Sequence, residues 1–239
     1  MFSYPEKIAI VHDWFLSNSF AGAEKVTLSI DNYLTENFAI PDIFSITENI
    51  STSKQFNFLK GRTINTTFIQ NIPFGKDHVQ KFLPIIPFAI EQLDLSMYKM
   101  IISSSHFAAK GVLTSPEQLH ISYVHTPVRY AWDQMNTYLK RSKLSNLGFE
   151  IFIRYFLYKL RRWDYLSGRR ADYLIANSTF TSKRIKKYWG LDSKVIHPPV
   201  DVERFKIKKY RDNFYLSVNR LVPNKRVDLL IKTFNKLNL

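Results

Sequence analysis

The stretch from Lys7 to Trp14, KIAIVHDW, decides the fold class of this chain. Its apolar residues follow one another without alternation and include the β-branched Ile8, Ile10 and Val11, which is typical of a strand buried on both faces of a parallel sheet. A loop over residues 15–22 follows, and a helical pattern begins at Ala23. A buried strand joined to a helix is the unit from which α/β domains are built.

The same alternation of strands and helices continues along the chain. Further strands are predicted at 42–46, 63–69, 99–103, 120–124, 172–176, 194–197 and 213–218. Helices are predicted from Ala23, in parts of 80–95, and over 147–170, 181–188 and 227–234. This order predicts an α/β fold with a doubly wound, mostly parallel, Rossmann-like sheet. We divide the chain into a domain at 1–205 and a segment at 206–239 that contains a linker and the start of a second domain.

Composition excludes several classes of protein. The 239 residues include no cysteine, so neither disulfides nor cysteine ligands or nucleophiles can occur. The six histidines show no paired ligand spacing and no Asp-x-Asp is present, so we expect no metal. No signal peptide is evident, and the apolar run at 82–90 is too short to span a bilayer. We therefore expect a cytoplasmic protein, either free or peripheral on the inner membrane.

The formal net charge of +14 is concentrated between Lys140 and Arg170, a stretch that contains nine basic residues and two acidic ones. Such a segment is either a solvated helix face or a surface for anionic lipid. Its aromatic residues either meet that lipid or belong to the core. The charge alone would also suit nucleic acid, but no recognition motif supports such a partner, and we expect none.

Polar residues follow the predicted strands, notably Asp13, the serines at 103–105, His125, Asn177 and Arg220. In doubly wound sheets ligands bind beyond the carboxyl ends of the strands, so these residues predict one ligand-binding edge. A second hypothesis for such an edge is a binding or scaffold protein without catalysis.

Three short motifs have both a functional and a structural interpretation. The small residues Gly22 and Ala23 either let a phosphate approach a helix N-terminus or form a tight turn. His125, fixed by the following Thr-Pro, either donates to a ligand or is an ordinary strand-end histidine. Arg220 and Lys225 either neutralise a diphosphate or belong to a solvated basic loop.

Taken together, the motifs resemble the retaining family 4 glycosyltransferases of the GT-B fold. The matching stretches occur in the family's order and are VHDW (11–14), AGAEKV (21–26), YVHTPVRYAWD (123–133), IANSTFTSKRIKKYWG (175–190), VIHPPVD (195–201) and NRLVPNKRVDLLIKTF (219–234). They look most like the mannosyltransferase branch that acts in O-antigen and lipopolysaccharide biosynthesis. The resemblance implies transfer of a sugar with retention from a nucleotide sugar, for which GDP-mannose is a candidate, to a lipid-linked saccharide, without a metal cofactor.

The resemblance also implies roles for individual residues. Gly22 and Ala23 would contact the donor phosphates. His125 would lie near the transferred sugar, while Arg220 and Lys225 would hold the diphosphate and stabilise it as it leaves. Asp13 and Arg129 are weaker candidates, for acceptor contact or loop support.

The sequence departs from the family in two places. Ala21 stands where the family usually has glycine, and the family's later pair of glutamates, seven residues apart, does not occur within the 239 residues. We therefore expect a chain truncated within the second domain, of which only the first β-α unit is present. Such a chain would either be completed by a second chain or persist as an inactive acceptor- or membrane-binding remnant.

Overall fold

Parallel strands form one sheet in the computed structural model, which describes residues 7–17, 21–50, 59, 61–141, 148–206, 210, 212–219, 221 and 225–237. Within these residues the strands are β1 (Ile8–Phe15), β2 (Asp42–Glu48), β3 (Ile64–Thr66), β4 (Met100–Ser105), β5 (Leu119–Val124), β6 (Tyr173–Ala176) and β7 (Lys194–Val195). Neighbouring strands all run parallel, in the spatial order β3-β2-β1-β4-β5-β6-β7.

Helices connect these strands. They are α1 (Gly22–Asn37), α2 (Ile86–Ile90), α3 (Met135–Arg141), α4 (Glu150–Ser167) and α5 (Thr179–Trp189), and a further helix, α6 (Val227–Leu237), follows the last strand in the sequence. Short 3₁₀ turns occur at Phe68–Asn71, Val79–Phe82 and Ala109–Gly111.

Both faces of the sheet are buried, as the unbroken apolar run of β1 requires. Ile8 and Ile10 pack on one side with Leu34 of α1. Val11 belongs to a separate buried cluster, which also includes Leu160 of α4. The predicted α/β class with a doubly wound, Rossmann-like parallel sheet is confirmed.

The order of the strands creates a switch point beside β1. The chain leaves β1 to build β2 and β3 on one side, and then returns to place β4 on the other side. Because the connections diverge at this place, a crevice opens beyond the carboxyl ends of β1 and β4.

The predicted strand at 63–69 is too long. Pairing with β2 ends at Thr66, and a 3₁₀ turn begins at Phe68. The Thr67 hydroxyl accepts the backbone N–H of Ile69 at 3.3 Å. This local hydrogen bond stabilises the turn in place of a continued strand.

The chain divides after Pro199, and residues 200–239 form a second, smaller unit. Its helix α6 is where the pattern predicts one. The strand predicted at 213–218 is wrong, because the described residues 212–219 form no strand. Tyr215, Leu216 and Val218 are largely exposed, and these described residues have no neighbouring strand to supply the ladder hydrogen bonds that a strand requires.

Candidate functional site

Three of the polar residues predicted at the sheet edge, Asp13, Ser104 and His125, follow or close neighbouring strands beside the switch point. Asp13 is near the end of β1, Ser104 near the end of β4, and His125 directly after β5. The N-terminus of α1 follows the loop after β1. We call this region the switch-point crevice.

Asp13 is fully buried and fixes the turn after β4. Its two carboxylate oxygens accept the backbone N–H groups of residues 106–109 at 2.5–2.9 Å. Oδ2 also lies 2.9 Å from Nδ1 of His106. Burial by itself would raise the pKa of Asp13, but the charges of His106 and His12 and these hydrogen bonds outweigh it, so the pKa is lowered. With both oxygens engaged, Asp13 supports this loop.

His106 is the ion-pair partner of Asp13. Burial alone would lower the pKa of His106, but the Asp13 carboxylate outweighs it and the pKa is raised. Arg129, on the loop after β5, is close enough for its charge to act against this rise. Arg129 is half-buried and forms no ion pair with any carboxylate in the described part of the chain. It therefore supplies an uncompensated cation beside His106.

His12 is buried on β1 between β4 and α1. Its Nδ1 donates to the carbonyl oxygen of Ser104 at 2.9 Å. Its Nε2 has no hydrogen-bond partner among the described residues, and the nearest carboxylate oxygen, Oε1 of Glu24, lies 3.9 Å away. Nε2 therefore faces the Glu24 carboxylate at the outer limit of an ion-pair distance.

The N-terminus of α1 carries no side chain at Gly22. A Cβ built on Gly22 would meet no atom of the described residues within 4 Å. Glu24 turns back to accept the N–H of Ala21 at 2.8 Å and is itself buried beside His12. Burial would raise the pKa of Glu24, but the proximity of His12 and the backbone hydrogen bond from Ala21 lower it overall. The carboxylate is thereby held inward, away from the exposed edge at Gly22 and the half-buried Ala23.

His125 is connected to this helix through two hydroxyl groups. Thr27 Oγ1 of α1 lies 2.8 Å from Ser104 Oγ, which in turn lies 2.9 Å from Nε2 of His125. Burial, reinforced by the charges of His12 and His106, lowers the pKa of His125 to about 3. The ring is therefore neutral at pH 7. When the Ser104 hydroxyl donates to Nε2, the single ring proton resides on Nδ1 and is available to a ligand.

A second helix begins beside His125. Ser178, after β6, caps α5 by accepting the N–H of Thr181 at 3.2 Å. The Thr181 hydroxyl donates to the carbonyl oxygen of His125 at 3.3 Å. The positive ends of two helices, α1 and α5, thus lie at the same edge of the sheet.

Of the remaining predicted residues, one belongs to the second unit and one falls outside the described residues. Lys225 is exposed in the second unit. Arg220 lies outside the described residues. The roles of Gly22, Ala23, His125, Arg220 and Lys225 in binding remain predictions.

Sequence reasoning missed His12, Thr27 and Ser104 as members of one network. For His12 and Ser104 the available signal was the interruption of two apolar strands, IAIVHDWF and MIISSS, by polar residues.

Among the described residues no cluster of three or more histidines and acids could hold a metal ion. In the same part of the chain no helix is long and apolar enough to cross a membrane.

Comparison with known proteins adds little to this geometry. No protein-family model matches the chain, and no curated protein matches it. Among solved structures it is similar to the crystal structure of Alr3699/HepE of Anabaena in complex with UDP and glucose, at 15% identity and a TM-score of 0.42. That likeness covers 84% of this chain and 47% of the other, so the chain spans less than half of that protein's length.

Proposed function

We propose that this chain belongs to a GT-B glycosyltransferase that transfers a sugar from a nucleotide-sugar donor. The observation that carries the proposal is the switch-point crevice, which contains the N-terminus of α1 at Gly22 and a neutral histidine, His125, and where the charge of Arg129 acts on His106. A helix N-terminus without a side chain at its entrance suits a phosphate, and a neutral imidazole N–H suits a sugar hydroxyl.

Phosphate binding at α1 follows from its backbone. The first intrahelical hydrogen bond joins the N–H of Lys25 to the carbonyl oxygen of Ala21 at 3.2 Å, so the amides of Gly22 and Ala23 precede it. These amides and the helix dipole favour an anion. Arg129 would add a full positive charge. On the motif resemblance alone, Arg220 and Lys225 are also proposed as diphosphate ligands.

Such an arrangement favours sugar transfer over mere binding. As the bond between the sugar and the diphosphate breaks, negative charge accumulates on the departing phosphate. Fixed cations and oriented amides stabilise that charge more strongly than they stabilise the intact donor. His125 would hold a hydroxyl of the transferred sugar through Nδ1–H, because its lowered pKa keeps it neutral.

The proposed stereochemistry, donor sugar and acceptor rest on the motif resemblance. We propose retention of configuration, mannose from GDP-mannose as the donor sugar, and a lipid-linked saccharide as acceptor in surface-polysaccharide synthesis. The motif HTPVRYAWD at 125–133 supports this branch, and it contains both His125 and Arg129.

A transfer assay tests the proposal. The purified chain is incubated with a panel of radiolabelled nucleotide sugars and a lipid-linked saccharide, and the lipid fraction is counted. We expect transfer from one donor, with strong loss in Gly22→Leu and little change in Ser29→Leu. Both substitutions lie on α1, at exposed positions, but only Gly22 is at the proposed phosphate site.

If nucleotide diphosphates bind while no transfer occurs, the chain is a binding remnant that requires a completing chain. If neither binding nor transfer occurs in a folded chain, the proposal is wrong.

A further inference from the structure

Helix α4 has two chemically distinct faces. One face packs into the core through Leu157 and Leu160, with Phe156 and Trp163 partly buried beside them. The opposite face is exposed and carries only apolar, aromatic and basic side chains. We call it the outer face of α4, and its members are Ile151, Phe152, Tyr155, Tyr158, Lys159, Arg162 and Leu166. The aromatic residues of this segment are thus divided between core and surface.

The exposure of large side chains on this face is high. Ile151 is 72% exposed, Phe152 68% and Tyr155 60%. Single exposed apolar residues are common on protein surfaces, but a contiguous set along one helix indicates an interaction surface. The aromatic rings are also paired with cations, since Lys159 Nζ lies 5.4 Å from the centre of the Tyr155 ring. Arg162 lies 5.9 Å from the centre of the Tyr158 ring.

Acidic residues are missing from this face. The two acids of α4 lie elsewhere: Glu150 forms an ion pair with Arg154 at 2.6 Å, and Asp164 is buried against Lys110 at 2.8 Å. Lys159 and Arg162 form no ion pair with a carboxylate in the described part of the chain. An ordinary solvated helix face mixes both signs of charge, so this composition selects for an anionic partner.

A groove beside the outer face adds a place for an anionic group. It has a volume of about 410 Å³ and is lined by Trp132, Tyr158, Arg161, Arg162, Tyr165 and Leu166. Arg161 is held there by a hydrogen bond from Nη1 to the carbonyl oxygen of Ala131 at 2.9 Å. Two guanidinium groups between aromatic rings suit the phosphate of a lipid headgroup, with the rings at the level of the interface.

We propose that the outer face of α4 docks on the surface of an anionic phospholipid bilayer. Its apolar and aromatic side chains enter the interface, Lys159 and Arg162 meet the phosphates, and the core face remains in the protein. Charge selects this occupant over a second copy of the chain, because two such faces of like sign would repel each other. Alternating aromatic and basic residues on one helix face are typical of helices that lie in the plane of a membrane surface.

Vesicle flotation tests the docking directly. The full chain is mixed with phosphatidylcholine vesicles, with or without phosphatidylglycerol, and the bound fraction is measured at low and high salt. We expect binding only to the anionic vesicles and weakening with salt. Lys159→Gln should lower the partition coefficient about fivefold, the effect of one cation at such a surface. Tyr155→Ser should lower it roughly fivefold to tenfold through lost apolar burial.

Matched controls separate docking from general effects. Tyr33→Ser changes a tyrosine of α1 that is also 60% exposed, and Lys187→Gln removes an exposed lysine of α5. Both should bind like the parent chain. Equal binding to neutral and anionic vesicles, equal losses in test and control variants, or no binding to anionic vesicles would overturn the proposal. The assay contains no nucleotide sugar, so its outcome is independent of the proposed transfer activity.

Discussion

Replacing Asp13 by asparagine tests the interaction that fixes the crevice. Oδ1 accepts the N–H groups of Ala108 and Ala109, and Oδ2 accepts those of His106 and Phe107. The asparagine side chain offers its oxygen to one pair of these backbone N–H groups and its NH₂ group to the other pair. The second pair then faces another hydrogen-bond donor, with no acceptor, in a buried site.

The cost follows from the number of bonds that are lost. A hydrogen bond to a charged acceptor contributes about 1.5–3 kcal/mol, so two bonds contribute about 3–6 kcal/mol. The smaller desolvation penalty of a neutral amide offsets part of this loss. We expect Asp13→Asn to lower the free energy of unfolding by about 3 kcal/mol, which shifts the urea midpoint by about 1–2 M.

Urea unfolding followed by circular dichroism measures this effect. Asp192→Asn is the control, because Asp192 pairs with Lys186 at the surface and its side chain is 90% exposed. Its cost should stay within about 0.5 kcal/mol. Equal midpoints for Asp13→Asn and the parent chain would refute the argument.

The pH dependence provides a second check on Asp13. Its pKa is lowered in the folded protein, so its contribution to stability is present above the unfolded carboxylate pKa of about 3.9 and is lost as the pH falls. The parent chain should therefore lose more stability in acid than Asp13→Asn does. An equal loss of unfolding free energy at low pH in both chains would contradict this linkage.

Three further predictions concern buried polar groups. In Ser104→Ala, the His125 ring loses its Nε2 partner, so the ring-nitrogen NMR shifts should show a change in the neutral tautomer population; unchanged shifts would contradict the hydroxyl relay. For the buried Lys110–Asp164 pair, Asp164→Leu should cost about 3–5 kcal/mol. The double variant with Lys110→Met should cost less in urea unfolding, because no unpaired ion remains; additive losses would exclude this coupling. Burial lowers the pKa of His120 to about 4, so the stability contributed by the neutral ring is lost as the pH falls from about 6.5 to 4. His120→Asn should therefore flatten the dependence of unfolding free energy on pH in that range, and an unchanged dependence would contradict this prediction.

Much of the sheet could be predicted because its strands are buried on both faces. Runs such as IAIV in β1 are apolar without alternation, and a parallel sheet covered by helices requires that pattern. The stretch 213–218 has similar apolar content, yet it forms no strand in the described residues. Apolar composition indicates what a segment can bury, whereas strand formation also requires a hydrogen-bonding neighbour that the local sequence does not encode.

The sequence predicts that the site lies at the carboxyl edge of the sheet, but it does not predict the contacts within the site. Asp13 and His125 were recognisable because each follows or closes a strand, but their partners are distant in sequence. His12 and Ser104 are 92 residues apart, and their hydrogen bond depends on the placement of β4 beside β1. That placement is a property of the strand order, which residue periodicity does not determine.

The most direct test of the account is an NMR titration of the ¹⁵N-labelled chain with GDP-mannose and, in parallel, with UDP-glucose. We predict that one donor shifts the amide resonances of Gly22 and Ala23 and the ring nitrogens of His125, and that these shifts are absent in Gly22→Leu. Saturable binding that leaves those resonances unchanged, or an absence of binding by either donor to the folded chain, would contradict the assignment of a donor phosphate to the N-terminus of α1.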